Sequence, residues 1–125
     1  MTETRRIRGG QARRRGRRGE WLAALWLLLH GWRIVGFRIR TSQGEIDLLA
    51  RRGRVLAVVE VKRRRALDEA LAAVGPLQQQ RLARAASAVC AQRTGWRDLE
   101  VRLDLIALAP GRWPVHLPDA WRLEG

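Results

Sequence analysis

The sequence predicts an α/β fold, one mixed sheet flanked by helices, in the order helix, three strands, helix, strand. Three observations lead there. An apolar segment with helical spacing stands near the start. Three short stretches of strand composition follow, separated by turn residues, and a long segment opened by Pro76 precedes a strand-like alternation.

The first helix is expected over 16–30, where Leu22, Leu25, Trp26 and Leu29 recur at helical spacing and Ala23, Ala24, Leu27 and Leu28 fill much of the remaining circumference. That pattern predicts a largely buried helix, with Trp21 and Trp26 in the core and Gly31 as its stop. Glu20 falls in the first turn, where the helix dipole favours a carboxylate. Strands are expected over 32–40, 45–51 and 54–62, with Thr41-Ser42-Gln43-Gly44 and Arg51-Arg52-Gly53-Arg54 as turns, so the three form a meander. A basic, Ala-rich connection leads to Pro76. There a second helix should run to about Thr94, with Leu77, Leu82, Ala85, Ala86 and Val89 facing inward. The last long strand is expected over 99–108, from the alternation of Val101, Leu103 and Leu105. The proline-containing remainder leaves room for one short edge strand near Val115.

At 125 residues the chain fits one domain, read here as 16–125 behind a basic flexible tail at 1–15. Residues 1–18 carry eight Arg and one Glu, within a formal net charge of +13. An excess of that size predicts an acidic partner, and arginines gain affinity for a phosphate backbone without reading its sequence. The longest apolar run, Trp21 to Leu29, is nine residues, against ~20 for a bilayer-spanning helix, so no membrane role is expected. A single Cys90 and the lack of a secretory signal pattern point to the cytoplasm. Of the 25 basic residues only Lys62 is a lysine. It can act as a compact point charge with a tunable pKa, which Arg cannot.

The second and third strands carry the chemistry. A hairpin turning around Arg52-Gly53 is expected to set Asp47 opposite Val58 and Glu45 opposite Glu60. Alternation then puts Glu45, Asp47 and Leu49 on one face with Leu56, Val58, Glu60 and Lys62, while Ile46, Leu48, Ala57, Val59 and Val61 fill the other. Asp47 and Glu60 become diagonal neighbours with backbones roughly 7–8 Å apart. Adjacent carboxylates at the edge of a core repel one another and resist desolvation. A divalent cation relieves that, and with oxygen donors only the choice falls on Mg²⁺ or Mn²⁺. The competing account is a structural salt bridge among Glu60, Lys62 and nearby arginines. His30, His116 and Cys90 lie outside the cluster, and Asp104 reads as a structural partner for an Arg.

Gly44-Glu45-Ile46-Asp47-Leu48-Leu49 followed by Val59-Glu60-Val61-Lys62 and Arg64, preceded by Gly16, Gly19-Glu20, Ala23 and Gly31, resembles the YraN-type bacterial proteins. Those endonuclease-like proteins are similar to archaeal Holliday-junction resolvases and the PD-(D/E)xK restriction-endonuclease-like superfamily. The resemblance spans roughly residues 16–121. It implies a restriction-endonuclease-like core and a metal-dependent DNA endonuclease, with a non-catalytic nucleic-acid-binding or adaptor protein on the same fold as the alternative.

By the same resemblance, Asp47, Glu60 and the Val61 carbonyl would bind Mg²⁺ or Mn²⁺. Lys62 would orient the attacking water and stabilise charge on the phosphate, Glu20 would act as an outer or second-metal carboxylate, and Glu45 would be accessory. Arg51, Arg52, Arg63, Arg64 and Arg65 would hold nucleic acid, DNA rather than RNA. Cleavage of a four-way junction would further require a homodimer. Two departures stand out. Gln78 occupies a place where the pattern carries Lys, with Arg81 or Arg84 as substitutes for its phosphate contact, and Arg38 occupies a place where the pattern commonly carries Asn.

Overall fold

A computed structural model describes residues 19–122; the basic tail expected at 1–15 lies outside them. Helix α1 (19–29) leads into strand β1 (Arg33–Thr41), then β2 (Gly44–Arg52) and β3 (Val55–Arg63). A short helix α2 (Leu67–Ala72) and the long helix α3 (Pro76–Gln92) precede β4 (Glu100–Leu108) and the short edge strand β5 (Val115–Leu117). The sheet order is β1-β2-β3-β4-β5. The first three strands are an antiparallel meander, β4 joins β3 in parallel after the helical crossover, and β5 pairs antiparallel with β4. This is the mixed α/β sheet flanked by helices that the sequence predicts, and it is consistent with a restriction-endonuclease-like core.

Local chemistry accounts for the boundaries. Gly31, at φ +85, closes α1 through a Schellman pair: its N–H donates to the Leu28 carbonyl, and the Trp32 N–H to that of Leu27. Pro76 stands in the first turn of α3, where its missing N–H has no helical partner to lose. Leu82, Ala85, Ala86 and Val89 face inward from α3 as expected, whereas Leu77 is exposed. Helix α2 was not anticipated. Its six residues are too few to show a periodic apolar face, and tertiary packing of Ala70 under the crossover supplies what propensity does not.

The two faces of the sheet bury separate cores. Toward α3, Leu49, Leu56, Val58, Leu103 and Leu105 pack with Leu82, Ala85 and Val89. Toward α1, Leu48, Ala50, Ala57, Val59 and Ile106 pack with Ala23, Ala24 and Leu27. Alternation along β2 and β3 assigns these faces correctly, with one exception. Ile46 belongs to the α3-side core and not to the face of Leu48, because β2 departs from regular alternation at Asp47.

Helix α1 also differs from expectation. Ala23, Ala24 and Leu27 meet the sheet, and Trp21, Leu22, Leu25, Leu28 and Leu29 are exposed. Two alanines let the helix approach the strands closely, and nothing among the described residues covers its other side. Trp21 is therefore not a core residue and Trp26 is only partly buried. Trp96 and Trp121 are buried, while Trp113 is exposed.

The hairpin register differs by two. Arg52 pairs with Val55 and Leu48 with Val59, so the loop is Gly53-Arg54 and the positive φ of a two-residue turn falls on Gly53 at +61. A shift of two preserves every face and moves every partner. Carried one step past Leu48 and Val59, this register sets Asp47 directly opposite Glu60 instead of opposite Val58.

Candidate functional site

The β2–β3 ladder stops one step short of that acidic pair. There the Asp47 carboxylate takes over from the backbone: its Oδ2 accepts the Val61 N–H at 3.0 Å. Glu60 is buried on the α3 side, where its Oε1 accepts from Gln78 Nε2 at 3.1 Å and lies 3.3 Å from Lys62 Nζ. Lys62 follows Glu60 at the strand spacing of two, so both project from one face.

Burial raises the Glu60 pKa to about 7; the neighbouring Asp47 charge adds to the rise and Lys62 opposes it. Asp47 is raised as well, first by burial, against the lowering effects of the Val61 N–H and Lys62. Two acids whose ionisation burial opposes thus share the splayed end of a hairpin. Folding linkage follows from the sign. A carboxyl whose folded pKa exceeds its unfolded one favours the native state at low pH and loses that contribution as pH rises through the folded value. In chelator, the melting temperature should therefore fall between about pH 5 and 7.5, and Glu60→Gln should flatten that fall. Scanning calorimetry across pH measures both; an unchanged slope in the variant would show that Glu60 does not titrate there.

Glu20 arrives from the other side. Gly19 permits the approach, since a Cβ there would meet the Arg63 side chain at 3.2 Å and Leu108 Cδ1 at 3.3 Å. The Glu20 carboxylate is held by Arg38, whose Nε donates at 2.9 Å to both oxygens. Burial raises the Glu20 pKa, against the pull of Arg38, and the Asp47 charge raises it further. Arg38 itself sits at φ +47, a left-handed conformation that Asn tolerates better than Arg. Its side chain is held in that place by the Glu20 carboxylate. Glu45 is exposed, with Arg40 Nε 3.9 Å from its carboxylate. Among the described residues no three His, Cys, Asp or Glu side chains converge as a metal cluster; Glu20 and Glu45 reach the Asp47–Glu60 pair through their charge on Asp47 and do not join it.

The arginines divide into two groups. Arg63, Arg64 and Arg65 follow Lys62 directly, and the Arg64 N–H donates to the Leu108 carbonyl. Arg81 lies one turn beyond Gln78 on α3, with its Cβ 3.8 Å from the position a Gly44 Cβ would take, and Arg84 lines a shallow groove with Gln43. These flank the acidic end of the sheet. Arg51 and Arg52 do not: Arg51 is four residues along β2 from Asp47, about 13 Å at strand rise, at the hairpin tip. Arg51 Nε donates to the Gly53 carbonyl at 3.0 Å, and the Arg52 guanidinium stacks 4.5 Å over Trp32.

Two residues of the site escape sequence reasoning as contributors. Gln78 reads as a lost phosphate contact but bonds Glu60 from α3. Arg38 reads as a departure from the resembled pattern but holds Glu20. His116 bonds Asp104 at 2.8 Å and His30 bonds the Trp26 carbonyl at 2.7 Å, both outside the acidic pair. The donors at that pair are all oxygens, a set suited to a hard dication. No helix among the described residues is long and apolar enough to cross a membrane.

Residues 19–108 match the family model described as "Uncharacterised protein family UPF0102". The chain is 63% identical over 117 residues to a UPF0102 protein of Caulobacter vibrioides, covering 94% of each chain. It is 49% identical over 121 residues to one of Maricaulis maris, covering 97% of this chain and 92% of the relative. With a family model spanning most of the domain and relatives aligned nearly end to end, the chain belongs to the UPF0102 family.

Proposed function

We propose that this protein is a metal-dependent DNA endonuclease that hydrolyses phosphodiester bonds, with branched DNA as its substrate. The observation that carries the proposal is the Asp47–Glu60 pair at the splayed hairpin end, Glu60 buried and Asp47 half-buried, with Lys62 beside Glu60 and arginines on both sides. Asp47, Glu60 and the Val61 carbonyl would hold Mg²⁺ or Mn²⁺, because two acids destabilised by burial and mutual repulsion gain most from a dication. When bound, that ion supplies Lewis acidity and a water deprotonated near neutral pH. Lys62 contributes a preorganised positive charge where the scissile phosphate accumulates negative charge. Gln78 fixes the Glu60 rotamer, Arg38 restrains Glu20 beside the site, and Arg63, Arg64, Arg65, Arg81 and Arg84 hold the strand by its phosphates.

Calorimetry with Mn²⁺ is expected to give one or two sites that disappear in Asp47→Ala. Incubation with linear, flap and four-way-junction DNAs in Mn²⁺ is expected to give cleavage, with a preference among the branched forms. Absence of both metal binding and cleavage would overturn the proposal. One observation favours a second reading, a non-catalytic DNA-binding protein: Glu60 is already satisfied by Lys62 and Gln78 without an ion. Junction binding without turnover, unaffected by Asp47→Ala, would select it.

A further inference from the structure

The exposed side of α1 has no role in the site. From Trp21 to Leu29 the helix carries no charged residue, and Trp21, Leu22, Leu25, Leu28 and Leu29 are each more than half exposed. Apolar neighbours extend the patch on both sides. The Trp21 and Phe37 rings lie 5.0 Å apart on one side, and on the other Trp113, which is 78% exposed, lies 6.2 Å from Trp26. The exposed fractions of the five helix residues and Trp113 amount to roughly 750 Å², beyond the ~300–600 Å² of the largest patch on a typical monomer and close to the ~800 Å² that each partner contributes to a stable interface.

We propose that this face is the interface of a homodimer, in which α1 packs against α1 of a second copy across a twofold axis. A twofold contact requires a surface complementary to itself. The leucines of α1 flanked by tryptophans meet that requirement, since Leu against Leu needs no opposite charge, and the arginines beside them, Arg33 and Arg112, stand at the margins of the helix stripe. The chain's own leading segment does not fit as the cover. Residues 1–18 hold eight arginines and, as apolar residues, only Met1, Ile7 and Ala12, too few to cover a patch of this size. Nucleic acid does not fit as the cover of the helix stripe either, because a phosphate-binding surface needs cations and α1 carries none between Trp21 and Leu29; the nearby Arg33, Arg112, Arg63, Arg64 and Arg65 lie at its margins. The interface stands whether or not the acidic pair hydrolyses DNA.

Sedimentation equilibrium of the nuclease-treated full chain in about 0.5 M NaCl, where exposed charges are screened over a few ångströms, is the test. The wild type is expected to sediment as a dimer with micromolar or tighter affinity. Leu25→Glu, at an exposed position in the middle of the patch, is expected to weaken association by at least roughly 30-fold while keeping the wild-type circular dichroism. Trp113→Ala serves as the second variant, weakening association from outside the helix. A wild type that is monomeric at about 100 µM, far above the micromolar limit expected of such an area, would overturn the proposal. So would a dimer that Leu25→Glu leaves intact, or one that dissolves on nuclease treatment.

Discussion

Lys62→Ala is expected to lower the rate of DNA cleavage by on the order of 10²–10³, the usual cost of removing one preorganised charge from a transition state. Mn²⁺ affinity should be retained or increase. Lys62 Nζ lies 3.3 Å from Glu60 Oε1, so on the proposed function it would compete with a cation for that oxygen, and its removal would leave the acidic pair more in need of one. Asp47→Ala is expected to behave differently, losing metal binding and cleavage together. Paired calorimetry and single-turnover cleavage separate the two variants. If Lys62→Ala cleaved at the wild-type rate, the lysine would be a structural partner of Glu60 and no more.

Asp104→Ala is expected to cost about 3–5 kcal/mol of folding stability, as breaking a buried ion pair typically does. Asp104 is fully buried on β4. Arg102 grips both oxygens at 2.9 Å, His116 bonds Oδ2 at 2.8 Å, and the Asp119 N–H donates to Oδ1 at 2.9 Å. Removing the carboxylate leaves a guanidinium and an amide facing each other in the core. Although burial works against its ionisation, the bonds from His116, Arg102 and the Asp119 N–H hold its pKa below the ordinary Asp value. Its contribution is accordingly complete above the unfolded Asp pKa and is lost as pH falls through the folded one, the reverse of Glu60. Urea titration at neutral pH and again in acid measures both effects. A loss below about 1 kcal/mol at neutral pH, the level of an exposed ion pair, would show that the cluster contributes little.

How much of the site was legible follows from what kind of contact each residue makes. Asp47, Glu60 and Lys62 stand within one hairpin, and the shared face of Glu60 and Lys62 follows from alternation alone. The expected register was off by two, an even number, so the faces of the paired residues survived while every partner moved. The break in pairing at Asp47 had no local signal, because it depends on a side-chain oxygen accepting the Val61 N–H from the next strand. Gln78 and Arg38 reach the acids from 18 residues away in each case, and no periodicity encodes such a contact.

Helix α1 makes the same point through burial. Its composition correctly indicates a helix ended by Gly31, but Leu occurs on every side, so composition leaves open which side meets the sheet. The structure resolves that through size, placing Ala23 and Ala24 inward where close approach to β2 and β3 gains most contact.

By itself the sequence determined the order of the long elements, the faces of the strands apart from Ile46 and the identity of the acidic pair with its lysine, because these depend on periodicities of two and 3.6 residues that are local properties of the chain. Only the tertiary structure decided the strand register, the partners of Glu20 and Glu60, and the apolar face left open on α1. Each of those is a contest among distant groups for the same hydrogen bonds or the same buried area, and it is settled only when the helices close over the sheet.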